Sequence, residues 1–454
     1  MPQWEPAPAV GTNAGPRLAL KSQGSAPMYG LTDFKRAYLS VRKAWLAPFL
    51  SLLAMYVVYR TLQIATYFSY ELIVIIGLCY TLAVGFVIFG RFALAFSYQT
   101  ADVAADAYEP SVTVVIPVKN EQECIAETVS SVLASDYPQD RLDVIVVNDG
   151  STDGTQEVLE TLLSTTSRLT VERFERNQGK RAALDFGFRH ATGEVVVVLD
   201  SDTRVRPDCI REVVKPLSDP RVGGVSGHTD VRDPMTRLEK MQSASYFPLY
   251  HLSKKAEAKL GMVTCLPGCA SAYRRTAILP ILYEWRHQKF LGAPCTVGED
   301  RGLTTFLLRD GWRTVYTPSA VAETKVPTKM KALLKQRLRW KRSYYREAVL
   351  QSQFMHQRWG ALYYYPFIAT SLIAPVLALF LLFVAPFILG PILVAEYVAG
   401  IVLVSLVYSA YSKLYRRKFS APWLAAWSVF NLLVLNFLSI YAMATLTDGR
   451  WGTR

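Results

Sequence analysis

Asp200 and Asp202 lie one residue apart, directly after a run of four valines, Val195 to Val198. Two carboxylates at the end of an apolar strand make an oxygen-rich pair. Such a pair suits a hard cation, Mg²⁺ or Mn²⁺, that keeps some of its waters and bridges to phosphate oxygens. Gly298-Glu299-Asp300-Arg301 offers a second acidic pair beside an arginine. Such a group is either an ion pair or a general base set against an acceptor hydroxyl. In Gln336-Arg337-Leu338-Arg339-Trp340, the Gln, Arg and Trp at i, i+3 and i+4 share one helical face. That face suits a site that clamps a diphosphate and stacks on a sugar. Asp149-Gly-Ser-Thr-Asp-Gly154 and Asn177-Gln-Gly-Lys180 are weaker signals, since each alone reads as turn chemistry.

The elements that must position these groups alternate. Ser111–Pro117, Asp143–Asn148, Leu169–Phe174 and Glu194–Leu199 read as short strands, and Glu121–Ser135, Gln156–Leu163 and Arg181–His190 as helices. The alternation predicts an α/β domain, a mostly parallel sheet flanked by helices. Ligands of such sheets bind off the carboxyl ends of the strands, where these motifs fall.

The domain is not the whole chain. Of 454 residues 51% are hydrophobic and only 19% charged, which excludes disordered, collagen-like and disulfide-scaffold classes. The apolar excess is concentrated. Ala44–Ile64 carries one charge, Arg60; Leu72–Gly90 and Ala421–Leu446 carry none; Ala361–Tyr411 carries only Glu396. About 20 apolar residues span a bilayer, so the expected layout is a cytoplasmic tail (1–43), two transmembrane helices (44–98) and a globular domain (108–345). An interfacial region (346–360) and two further spans (361–411) follow. Basic residues before the first span and at Lys413–Lys418, with none in the loop Ala65–Tyr70, place the tail and the domain in the cytoplasm of a multi-pass cell-membrane protein. The net charge of +13 can then meet anionic membrane lipids and a phosphate-bearing substrate. No basic-aromatic patch or motif points to nucleic acid, and the six cysteines read as reduced thiols.

Asp-Gly-Ser, Asp-Ser-Asp, Gly-Glu-Asp and Gln-x-x-Arg-Trp, in this order between membrane segments, resemble a processive, inverting family 2 glycosyltransferase of the GT-A type. Gly298–Thr304, Leu334–Trp340, Ser343–Glu347 and the terminal Trp451-Gly-Thr-Arg454 are similar to those of hyaluronan synthases, with rhizobial chitin-oligosaccharide synthases as the adjoining branch. Glu299-Asp300 in place of two aspartates, and Leu266–Arg274 in place of a Ser-Gly-Pro-Leu-type segment, leave the sugar open: UDP-GlcNAc with UDP-GlcA, or UDP-GlcNAc alone. The resemblance implies that Asp149 and Lys180 hold the uridine end of a UDP-sugar donor, and Asp200 and Asp202 the cation and diphosphate, Asp202 as direct ligand. It further implies Asp300 as base, with Arg301 beside it, and Gln336, Arg339 and Trp340 around the diphosphate and the growing polysaccharide. Trp451 and Arg454 would form a gating tail (447–454). A tail on the cytoplasmic side makes 421–446 an interfacial or re-entrant helix; an ordinary third span is the alternative. A non-processive transferase of single sugars is a rival reading. A channel or transporter would lack ionisable residues well inside the spans apart from Glu396. One chain carries every motif, so a monomer suffices.

Overall fold

The computed structural model describes residues 47–67, 71–99, 108–388, 392–415 and 421–449. The expected tail 1–43, and Trp451 and Arg454 of the expected gate, lie outside the described residues.

Two helices, α1 (Ala47–Tyr67) and α2 (Glu71–Ser97), precede the globular domain. The domain then runs β1 (Val112–Val118), α3 (Ile125–Leu133), β2 (Leu142–Asn148), α4 (Thr155–Leu163), β3 (Leu169–Arg173), α5 (Lys180–His190) and β4 (Val195–Val198). It continues with β5 (Thr203–Val205), β6 (Val222–Val231), α6 (Arg237–Phe247), β7 (Ser271–Arg274), α7 (Glu299–Arg309) and β8 (Arg313–Thr324). β1 and β4 are buried at every position, which is why they read as unbroken β-branched runs rather than alternating ones. The eight strands form one sheet in the order β3-β2-β1-β4-β7-β6-β8-β5. Four neighbouring pairs are parallel: β3/β2, β2/β1, β1/β4 and β6/β8. β7 pairs antiparallel with both β4 and β6, and β5 antiparallel with β8. The sheet is therefore mixed, with its parallel half holding Asp149 and Asp200 just past the ends of β2 and β4.

The chain leaves the domain through α8 (Met330–Ser352), then α9 (Ala361–Phe383), α10 (Ile392–Tyr415) and α11 over 421–444, whose middle, Asn431–Leu435, is a π-turn. Among the described residues, four helical stretches are long and apolar enough to cross a membrane: Leu78–Ser97, Ala361–Phe383, Val394–Ser412 and Pro422–Ala444. Large apolar side chains on them face outward, Phe86, Val376, Phe383 and Phe437 among them, as a lipid-facing surface requires. Glu396 on α10 is not alone: Arg60 on α1 forms an ion pair with it, and Tyr56 Oη donates to its backbone carbonyl at 2.6 Å. Pairing of this kind makes a charge tolerable at membrane depth. α11 packs against α6 through its first half and against α8 through its second.

α8 links the sheet domain to the apolar helices that follow it. Its buried residues include Arg342, Ser343, Arg346, Glu347 and Gln351, so a polar face is turned inward. Such a face is stable only where every group finds a partner.

Candidate active site

A cavity of about 590 Å³ opens at the carboxyl ends of β4 and β1, walled by α7, the start of α8 and the segment after α6. Lys180, Asp200, Asp202, Asp300, Arg301, Gln336, Arg339 and Trp340 all line it. Asp149 lines a smaller recess of about 150 Å³ with Asn177 and Gly179; Lys180 and Pro117 belong to both spaces. The residues singled out from sequence that are described, up to 191 positions apart between Asp149 and Trp340, thus line two adjoining spaces.

The recess is built by Asp149 itself. Its two carboxylate oxygens accept from the backbone N–H groups of Gln178 (2.6 Å) and Gly179 (2.9 Å), which fastens the Asn177–Lys180 turn to the end of β2. Burial pushes its carboxyl above the ordinary value against these two hydrogen bonds. Its role in shaping the recess is therefore direct.

Lys180 opens α5 and points into the main cavity. Its Nζ is 2.5 Å from Asp200 Oδ1 and 2.7 Å from Glu299 Oε1. Burial would lower its pKa, but the two carboxylates outweigh this and raise it, so the amine is held as a cation. Glu299 and Asp300, though adjacent, are driven apart. Burial pushes Glu299 up, yet the charge and hydrogen bond of Lys180 overcome it and hold that carboxyl below its ordinary value. At Asp300 burial comes first and the neighbouring Glu299 second; both push its carboxyl up, against Lys180 and Arg301. A carboxylate with a raised pKa is the better proton acceptor of the two. Glu299, not singled out as a site residue from sequence, is the group that sets up this contrast.

The backbone around the pair leaves little freedom. Gly298 caps α7 at φ +72°, and a Cβ there would collide with Ser343 Oγ on α8. Arg346 Nη2 donates to Val297 O at 2.6 Å and its Nε to Glu347 Oε1 at 3.0 Å. Gln288 Nε2 donates to the same carboxylate (3.2 and 3.3 Å), and Gln288 Oε1 accepts from Arg181 on α5 at 3.1 Å. Trp285 Nε1 donates to Glu299 O at 2.9 Å. This buried network ties α5, the Val297–Asp300 turn and α8 into one rigid support for the acidic pair.

Asp200 and Asp202 face the same cavity, and Thr324 Oγ1 approaches Asp202 Oδ1 at 3.4 Å. Among the described residues no group of three or more His, Cys, Asp or Glu side chains could hold a metal. Two hard oxygen ligands and an open cavity fit a Mg²⁺- or Mn²⁺-type ion that takes its other positions from a diphosphate and water. They do not fit an ion that needs a complete protein cage.

The opposite wall is aromatic and partly unsatisfied. Trp340 lines the cavity and remains 38% exposed. Tyr246 and Tyr250, with ring centroids 6.0 Å apart, extend the same wall. Gln336 Oε1 is buried with no hydrogen-bond partner among the described residues, an acceptor left for a ligand's donor. Sequence reasoning also missed Lys254 and Glu257, which line the cavity from the π-turn Pro248–Lys254 and the helix after it. Lys254 donates to Cys265 O, and burial lowers its pKa against the pull of Cys265 and Glu257. No local pattern marks these two as different from surface charges. Arg301 stacks over Tyr344 at 5.1 Å and its Nη1 donates to Thr264 O at 3.4 Å, so it bolsters the wall beside Asp300.

Residues 113–281 match the family described as Glycosyl transferase family 2, and residues 281–454 the family described as Chitin synthase. An N-acetylglucosaminyltransferase from Azorhizobium caulinodans is 33% identical over 361 residues, 76% of this chain and 87% of that one. A hyaluronan synthase from Streptococcus pyogenes is 30% identical over 381 residues, covering 80% and 87%. Among solved structures, a mannosyltransferase from Pyrobaculum calidifontis in complex with GDP-Man and Mn²⁺ superposes with a TM-score of 0.53 at 24% identity. That match covers 77% of this chain and 96% of the other, and it shows a shared fold.

Proposed function

Because the chain belongs to the inverting family 2 glycosyltransferases, in the group of the hyaluronan and chitin synthases, we propose that it polymerises β-linked sugar from UDP-sugar donors and passes the product through its own apolar helices. The observation that carries this reading is the meeting of Lys180, Asp200, Glu299, Asp300, Gln336 and Trp340 in one cavity. The uridine end of the donor takes the recess beside Asp149, and the diphosphate lies between Asp202, Lys180 and Arg339. A divalent cation held by Asp202, with Asp200 beside it, would neutralise charge on the leaving diphosphate. Asp300 takes the proton from the acceptor hydroxyl as that oxygen bonds to the anomeric carbon. The bond from that carbon to the phosphate oxygen breaks, and UDP leaves from the opposite face. Trp340 offers a flat face to the acceptor sugar, and Gln336 Oε1 accepts from one of its hydroxyls.

N-acetylglucosamine, from UDP-GlcNAc, is the sugar we assign, with UDP-GlcA added if the product is hyaluronan; Glu299-Asp300 favours the UDP-GlcNAc-only alternative. The contacts at the end of α11 support a tail on the domain's own side of the membrane, taken here as the cytoplasmic side. Arg342 Nε donates to Thr445 Oγ1 (3.0 Å), Arg342 Nη2 pairs with Asp448 Oδ2 (3.0 Å), and Thr296 Oγ1 donates to Gly449 O (2.6 Å). The test is to give purified full-length protein UDP-GlcNAc alone, UDP-GlcA alone and both, and to size and digest the product. A ladder from UDP-GlcNAc alone supports a chitin-type synthase and one needing both donors a hyaluronan synthase. A single transferred sugar would refute polymerisation.

A further inference from the structure

Arg337 lies between Gln336 and Arg339, the two positions to which a role is assigned, yet it faces the other way. It does not line the cavity. Its guanidinium is 4.5 Å from the ring centre of Trp340, 4.8 Å from that of Trp427 on α11 and 6.0 Å from that of Tyr246 on α6. Nε and Nη2 are buried, and neither has an oxygen or nitrogen acceptor among the described residues. Buried donors left without acceptors are rare. Here the electron-rich faces of the aromatic rings take the acceptor's place, as they do wherever a guanidinium is held over indole. A guanidinium presents two flat faces, so it can stack on two indoles at once, which an ammonium cannot do.

We infer that Arg337 is a positioning residue: stacked between Trp340 and Trp427, it fixes the ring that carries the acceptor sugar and couples that ring to the last apolar helix. The inference rests on the reading of Trp340 as the acceptor platform. Trp340 is more than a third exposed and has an open cavity on one side, so its ring has little to orient it from that direction. The support comes from behind, through Arg337. Trp427 in turn is on the helix that packs on both α6 and α8, so a shift of α11 is transmitted to the acceptor platform with no contact to the donor or to Asp300. The property this arrangement governs is the retention of the growing chain between transfers and, through the seating of the acceptor sugar, the rate of transfer, but not the binding of the donor.

The experiment compares full-length Arg337→Met, Trp427→Leu, Trp427→Phe and Trp340→Ala in lipid nanodiscs supplied with UDP-GlcNAc, alone and with UDP-GlcA. Product length, kcat and donor KM are read for each. Arg337→Met and Trp427→Leu are expected to shorten the product several-fold and to lower kcat about threefold to tenfold, with donor KM unchanged within twofold. Because both break the same stack, the double variant should be no worse than the poorer single one. Trp427→Phe, which keeps an aromatic face, should restore most of the length, whereas leucine fills the space without that face. Parent-length product from Trp427→Leu, or losses that multiply in the double variant, would overturn the inference. If Arg337→Met does not insert, the leucine and phenylalanine variants at 427 decide alone. A Trp340→Ala protein that still makes full-length product would instead overturn the acceptor-platform reading. Loss in Trp340→Ala with none in the other variants would overturn only the positioning role.

Discussion

Asp300 and Glu299 differ by one methylene and one position, and their surroundings give them opposite tendencies. Lys180 claims Glu299, while burial and that same Glu299 keep Asp300 ready to take a proton. Asp300→Asn should therefore abolish polymer formation while UDP binding stays nearly intact, as titration of UDP against the purified variant would show; polymer at a tenth of the parent rate or more would rule Asp300 out as the base. The pH profile follows with its sign. The base must be ionised, its pKa is raised above 3.8, and activity is lost as pH falls through the raised value. The acid limb of kcat/KM should thus lie above the usual aspartate range. Glu299→Gln removes a like charge and should move that limb to lower pH, whatever it does to the rate. At Asp202 the expected loss is of another kind. Asp202→Asn should abolish the gain in UDP affinity expected on adding Mn²⁺ to the parent, because one of two carboxylates becomes a weaker neutral ligand; an unchanged metal response in that titration would exclude it as a ligand.

At the scale of elements, α8 carries two functions on two faces. Gln336, Arg339 and Trp340 look into the cavity, and Arg346 and Glu347 hold the turn that carries Asp300. Glu347 is fully buried, so Glu347→Ala leaves Arg346 and Gln288 without their carboxylate. It should cost about 3–5 kcal/mol, the range for breaking a buried pair from one side, seen as a fall in the thermal midpoint of the purified protein. The first four strands and three helices were legible in the sequence to within a few residues, since buried parallel strands announce themselves as runs of valine and isoleucine. The second half of the sheet was not. β6 is buried at all ten positions yet reads Val-Gly-Gly-Val-Ser-Gly-His-Thr-Asp-Val, because neighbours come so close that a Cβ at Gly224 would strike Leu266. Close approach erases the hydrophobic signal that marks other strands. The motifs at the site were legible for the same reason that turns are, being local. The link from Lys180 to Glu299 was not, since it joins positions that only the sheet order brings together.

For the whole molecule, the contacts of Thr445, Asp448 and Gly449 with Arg342 and Thr296 tie the segment after α11 to the domain. Deleting the last four residues should lower turnover about 10-fold to 100-fold, the worth of one or two hydrogen bonds to a charged diphosphate, without reducing membrane insertion. A protease site appended after Arg454 should resist protease added to intact cells and be cut after lysis; cutting in intact cells would make α11 an ordinary span. The sheet order has a consequence for how such a molecule comes off the ribosome. The edge strand β5 ends at Val205, and its only partner among the described residues, β8, begins at Arg313. At roughly 5–20 residues per second, about 5–20 s pass between the emergence of the two strands. β6 spends most of that interval without β8 as well. For those seconds the exposed strand edge is a template for wrong pairing with a neighbouring nascent chain.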